Sequence, residues 1–256
     1  MTNAVAIVTG ASQGIGRATA VRLAQDFKSI VLVARNREKL AETAAAVSAA
    51  HATPLIIDLD LSQPSSAKAV VEQSFAAFGR IDALANIAGA VPQIDLFEMT
   101  DEQWDAGLAL KLHGARRLTV EAWPALKNAK GSVVFMSGNS ALFPKAPYAA
   151  VGSINAAIVA LAKAFSDRGI ADEVQVNSVL PGPVMTGRRR SYLEHWASIH
   201  GMTPAEATEK FPRDAGISRY GRPEEIAELI AFLVSPGARW MTGSTLRMDG
   251  GEVKSI

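Results

Sequence analysis

The chain has 256 residues, 48% of them hydrophobic, enough for one large α/β domain with a buried core. Its 26 Lys+Arg against 25 Asp+Glu leave no basic or acidic tract of the kind that marks a nucleic-acid or membrane partner. With no cysteine there is no disulfide, thiolate nucleophile or Cys-based metal site, which fits a reducing, cytoplasmic setting.

Met1-Thr2-Asn3 lead straight into apolar residues, so no signal segment is expected, and no apolar run is expected to reach bilayer length. Short, nearly continuous apolar runs at Val5–Val8, Ile30–Val33, Leu55–Ile57, Ala83–Ala85, Val133–Met136 and Val174–Val179 read as strands covered on both faces, with Thr245–Met248 a shorter candidate. Amphipathic stretches between them read as helices: Ile15–Asp26, Arg37–Ala50, Ser65–Phe78, Gln103–Leu126, Ala149–Arg168 and Pro223–Val234. Asp101 ahead of Trp104, and Pro223 followed by Glu224 and Glu225, are helix-start signals. This alternation predicts one α/β domain over 1–256, a doubly wound parallel sheet with helices on both faces. Pro181–Tyr220 is the least regular part, expected to be a long irregular binding segment or lid.

Thr9-Gly10-Ala11-Ser12-Gln13-Gly14-Ile15-Gly16 joins the first strand to the first helix. Glycines there allow a tight turn and close backbone approach, and a helix N-terminus offers N–H groups to a pyrophosphate. The second strand ends in Ala34-Arg35, where an acid would bind the ribose hydroxyls of NAD. The missing acid and the guanidinium together point to NADP, Arg35 meeting the 2′-phosphate; the alternative is a surface arginine paired with Glu38 or Glu42.

These residues resemble the short-chain dehydrogenase/reductase family over essentially the whole chain. The glycine motif is Thr9–Gly16, Asp60-Leu61 match the adenine-capping pair, and Asn86-Ile87-Ala88-Gly89 match Asn-Asn-Ala-Gly. Pro181-Gly182, with Val184 and Thr186, match the nicotinamide pocket; Gly221–Glu225 and Asp249-Gly250-Gly251 also fit. The resemblance implies a single Rossmann domain with a seven-stranded parallel sheet, a substrate-loop segment at about 183–220, and a homo-oligomer, tetramer or dimer. It also implies a small-molecule substrate exchanging a carbonyl for an alcohol.

The family's Asn-Ser-Tyr-Lys tetrad is missing. The three tyrosines, Tyr148, Tyr192 and Tyr220, have Gly152, Trp196 and Glu224 four residues on. Spacing from Asn177 on one side and Gly131 on the other puts Val151 at the tyrosine position and Asn155 at the lysine position. Gly138 takes the serine position and Lys111 the asparagine position, as though lysine and asparagine had changed places.

Two readings stand. Either Lys111 supplies an ammonium from the opposite wall, or it is a solvated lysine and Asn155 satisfies backbone groups. Candidate donors are Ser140 and Tyr148, with Ser137, Asn139 and Lys145 nearby; the competing reading of Tyr148 is a packed tyrosine with a bonded hydroxyl. His113 is expected at the surface, and His195 and His200 do not form a metal site. Arg188-Arg189-Arg190 could hold an anionic substrate group, but a solvated turn pairing with Glu194 and Glu206 is the favoured expectation. An oxidoreductase with a non-standard site is therefore the leading reading, a non-catalytic NADP-binding protein the alternative.

Overall fold

In the computed structural model, residues 3–255 are described; Met1, Thr2 and Ile256, including both ends of the expected domain, lie outside the described residues. Seven strands form one sheet in the order β3-β2-β1-β4-β5-β6-β7, all parallel: β1 Val5–Thr9, β2 Ser29–Ala34, β3 Thr53–Asp58, β4 Ala83–Asn86, β5 Ser132–Met136, β6 Gln175–Pro181 and β7 Thr245–Met248. Every residue of β1, β4, β5 and β6 is buried, as continuous apolarity requires, whereas the edge strand β3 is partly covered and the edge strand β7 largely exposed.

Side-chain alternation divides the core. Ala6, Val8, Ile30, Leu32 and Val134 meet α1 (Gly14–Leu23), α2 (Arg37–Ala49) and α9 (Pro223–Leu233) on one face. Val5, Ile7, Val31, Val33, Val133 and Phe135 meet α3 (Ser66–Phe78), α5 (Ala115–Ala129) and α6 (Ala149–Asp172) on the other.

The chain winds outward from β1 to β3, then crosses back to β4 and winds the other way. A crevice opens beyond the carboxyl ends of β1 and β4 at that reversal. The Thr9 hydroxyl ties its two sides, accepting from the N–H groups of Ile87 at 2.8 Å and Ala88 at 2.9 Å.

Three expectations are corrected. Pro181–Tyr220 is not irregular: it holds α7 (Gly187–Ile199) and α8 (Pro204–Asp214), packed on each other. Their polar sequences bury only Leu193, Ala197 and Ala207, so the apolar period is weak. Their start signals are present, however: Thr186 caps Arg189, and Thr203 forms a capping box with Glu206 behind Pro204. Second, the helix expected at Gln103–Leu126 runs from α4 (Asp101–Gly107) through a π-helical segment, Leu108–Gly114, into α5, and its cap is Thr100, boxed with Gln103, not Asp101. Third, one stretch, Ala146–Asp172, is long and apolar enough to cross a membrane by length and composition; Ile158 and Ala162 of it pack on the sheet.

Phe135 is fully buried and stacks on Phe165 with ring centroids 5.7 Å apart. Phe135→Ala is expected to cost about 3–5 kcal/mol in urea unfolding, against under about 0.5 for Ile170→Ala on an exposed helix face.

Candidate active site

The crevice holds a cavity of about 640 Å³. Every cofactor residue named from the sequence lines it except Asn86. That side chain is buried beneath the strand ends, donating to Thr119 Oγ1 at 3.0 Å.

The phosphate end is built from backbone. Gly10 and Gly14 take φ of +67° and +55°, and a Cβ on Gly16 would collide with the Gly10 carbonyl. No side chain caps α1 and no acid stands in its first turn, so its leading N–H groups remain available to an anion. Arg35 is exposed and pairs with neither Glu38 nor Glu42; its nearest carboxylate is Asp60, at 3.8 Å. Lys39, one turn into α2, lines the same end and reaches Gln13 Oε1 at 3.3 Å. Sequence reading missed it because the family motifs stop at Arg35, but its place three residues beyond the Asn36 cap was a usable signal.

At the other end, the Lys111 ammonium, carried on the π-helical segment, donates to Asn155 Oδ1 and to the Ser137 carbonyl at 3.2 Å. Asn155 Nδ2 donates to Ser140 Oγ at 2.8 Å, and Ser137 Oγ donates to the Asn155 carbonyl at 2.8 Å. Lys111, Asn155 and Ser140 therefore form one hydrogen-bonded chain across the wall, with Val151 one turn before Asn155. The Asn155 amide occupies the space beside Gly138: a Cβ at 138 would lie 2.6 Å from its nitrogen.

Burial pulls the Lys111 ammonium down to about 7, and the nearby Arg188 charge adds to the effect. Arg188 donates to the carbonyls of Val91 at 2.6 Å and Gly89 at 3.1 Å, pinning α7 across the cleft. Tyr148 lines the cavity half-buried; burial, then Glu252 and Tyr192, push its hydroxyl up against the opposing pull of Arg189.

The arginine run is the first turn of α7 and not an irregular turn; Arg188 and Arg190 are exposed as expected, but no arginine of the run pairs with Glu194 or Glu206. Glu206 is engaged in its capping box, and Arg189 lies half-buried against Tyr192 and Phe211. Nor is His113 a surface residue: it is half-buried, with its Nδ1 sealed from solvent and unpartnered.

Comparisons with known proteins place this geometry. A family model described as enoyl-(acyl carrier protein) reductase matches residues 10–252. Over 96% of its length the chain is 34% identical to a putative ketoacyl reductase of the granaticin polyketide synthase of Streptomyces violaceoruber, covering 95% of that protein. It is 28% identical to the 3-oxoacyl-[acyl-carrier-protein] reductase FabG of Thermotoga maritima, with 97% of each chain covered. The L-sorbose reductase of Gluconobacter frateurii, solved with NADPH and L-sorbose, superimposes with a TM-score of 0.94 at 29% identity, covering 99% of this chain and 98% of that one. The chain belongs to the short-chain dehydrogenase/reductase family.

Restoring a side chain at 138 tests the packing of the wall. Gly138→Ser is expected to lower Tm, the strain being about 1–3 kcal/mol. Combined with Asn155→Ala, which clears the amide, it should cost clearly less than the two single changes summed. Additive losses in a double-mutant thermal-unfolding cycle would refute the coupling.

Proposed function

We propose that the protein is an NADP-dependent oxidoreductase interconverting a carbonyl and an alcohol, through a site in which Lys111, Asn155 and Ser140 stand in for the usual tetrad. The carrying observation is the hydrogen-bonded chain from the Lys111 ammonium to Ser140 Oγ on the wall of a dinucleotide-shaped cleft. The L-sorbose reductase, solved with NADPH, and YwfH, an NADPH-dependent reductase involved in bacilysin biosynthesis, support the cofactor assignment.

The residues present fit that cofactor. The α1 N-terminus would take the pyrophosphate, and Arg35 with Lys39 the 2′-phosphate. NADPH, when bound, supplies a hydride to the carbonyl carbon. The protein handles the oxygen. Because Ser140 Oγ already accepts from Asn155 Nδ2, its own proton is left to donate to a carbonyl oxygen entering the cleft. Asn155 is in turn polarised by the Lys111 ammonium at its other end. The Asn155 amide polarises Ser140 but carries no proton, so the proton that the alkoxide takes up would come from Lys111, which itself lines the cleft and titrates at about 7; Tyr148, pushed upward, is the poorer acid. The relatives over the whole chain are named reductases, so the non-catalytic reading is not favoured.

NADPH oxidation with a panel of carbonyl compounds tests the reading. Ser140→Ala and Lys111→Met should each lower turnover by about 10²–10⁴. Fluorescence titration should show Ser140→Ala still binding NADPH. Unchanged turnover in both variants would overturn the assignment. Reduction requires the ammonium, so its rate should fall as pH rises through about 7, while alcohol oxidation, which requires the free amine, rises over the same window. Arg35→Leu should weaken NADPH binding roughly tenfold or more, with little effect on NADH, by loss of a charge-assisted phosphate contact.

A further inference from the structure

Beyond the reacting groups, the substrate end of the cleft is lined by aromatic faces and one uncommitted cation. Phe143 and Tyr148 come from the loop before α6, Tyr192 from α7 and Phe211 from α8. The Arg189 guanidinium lies 5.2 Å from the Tyr192 ring centroid and 5.0 Å from that of Phe211. Phe211 is itself backed by Tyr220, stacked with centroids 5.9 Å apart. The backbone of Arg189 is fixed by the Thr186 cap at 3.2 Å. Two ring faces and a helix cap thus hold this guanidinium in place, leaving its five N–H donors without a carboxylate within 4.0 Å among the described residues.

Its neighbours are committed elsewhere. Arg188 is bonded to the Gly89 and Val91 carbonyls, and Arg219 to Glu225. The facing charges are mostly positive. Lys111 and Arg188 lie on the cofactor side, and Lys145 stands over Phe143 on the loop before α6. Among the described residues the carboxylate lining this end is that of Glu252, in the C-terminal segment, and it is engaged by the Asn139 amide. Asp249 behind it accepts from the N–H groups of Gly251 and Val253, turning back into its own loop.

We infer that the substrate is an oxo acid, whose free carboxylate is captured by the Arg189 fork and whose apolar body lies between the aromatic faces of Tyr148, Tyr192 and Phe211. A planar guanidinium with free donors matches a carboxylate in a bidentate pair, and the flanking rings hold it without neutralising it. This inference rests on the reductase reading for the carbonyl, but the carboxylate site is independent of turnover. Burial and the adjacent Arg189 charge hold Arg188 below its ordinary value, and burial lowers Arg189 against the opposing pull of Tyr192, Tyr220 and Glu252.

The test uses the whole protein with two probes. The first is the pair benzoylformate and methyl benzoylformate, which differ only in the free carboxylate. Wild type should favour the acid, and Arg189→Met should lower the acid-to-ester ratio of kcat/KM by roughly thirtyfold or more, the lower end for removing one partner of a desolvated charge pair. Arg189→Lys, retaining charge without the fork, should fall between. Glu252→Gln, which removes a nearby negative charge, should raise the ratio. The second probe is benzoate, which cannot be reduced: titrated calorimetrically, it should bind wild type saturably and lose that binding in Arg189→Met. An unchanged ratio, or equal benzoate binding by the two proteins, overturns the proposal. Arg189-dependent benzoate binding with no NADPH oxidation on either carbonyl compound upholds the carboxylate site while refuting the reductase reading. Ester reduction insensitive to Arg189, with no benzoate binding, does the reverse.

Discussion

The Lys111 ammonium, reaching across the cleft to the Asn155 amide oxygen, constrains everything on the reacting wall. With its oxygen held, the amide must direct its nitrogen the other way, toward Ser140 and over Gly138. That is why position 138 is confined to glycine here and why the hydroxyl available to the cleft is two residues further on. Opposite, the Lys111 stem leaves little room at Gly89, where a Cβ would lie 3.0 Å from Cδ. Positions 111, 138 and 155 are therefore parts of one packing arrangement. Changing any one alone leaves a collision or an unpaired polar group.

The scaffold brings these groups together through strand alternation and the reversal of winding. Even-numbered residues of β1 and β2 face α1, α2 and α9, and odd-numbered residues face α3, α5 and α6, so the sheet cannot slip by one residue without exposing both cores. With register fixed, Thr9 at the end of β1 meets the N–H groups just beyond β4, and the phosphate cradle and the Lys111 wall are held on opposite sides of one crevice. The π-helical segment matters for the same reason. It lies in the middle of a helix that otherwise continues from Asp101 to Ala129, and it carries Lys111 toward β5 and α6.

What the sequence discloses follows from what each part buries. Strands covered on both faces are written as unbroken apolar runs, so β1, β2, β5 and β6 were legible to within one or two residues. The glycine loop was legible because its function is carried by backbone geometry that only glycine supplies. Helices α7 and α8 were not, since a helix lying over an open cleft buries few side chains and its pattern is dominated by Arg, Glu and His. Arg189 was misread for a related reason: three consecutive arginines look like a solvated run, and only the fold sends the middle one between two rings contributed by different helices. Asn86 shows the opposite error, a motif residue whose side chain stays below the cleft, bonded to Thr119, while its neighbours Ile87 and Ala88 reach the surface of the crevice.

The electrostatics of the cleft tie its two ends together. Arg188 repels both Lys111 and Arg189, so the folded chain holds three cations closer than their mutual interaction favours. A core would not tolerate this, but an open cleft can, because water screens the charges until anions replace it. At the phosphate end the same logic appears in Arg35 and Lys39, set around an uncapped helix terminus. Stability is thus lower than an all-apolar cleft would give, and the deficit is recovered only when negative groups arrive at fixed places. The anions that relieve the repulsion also lower the cost of keeping Lys111 charged, so anions in the cleft favour its protonated form.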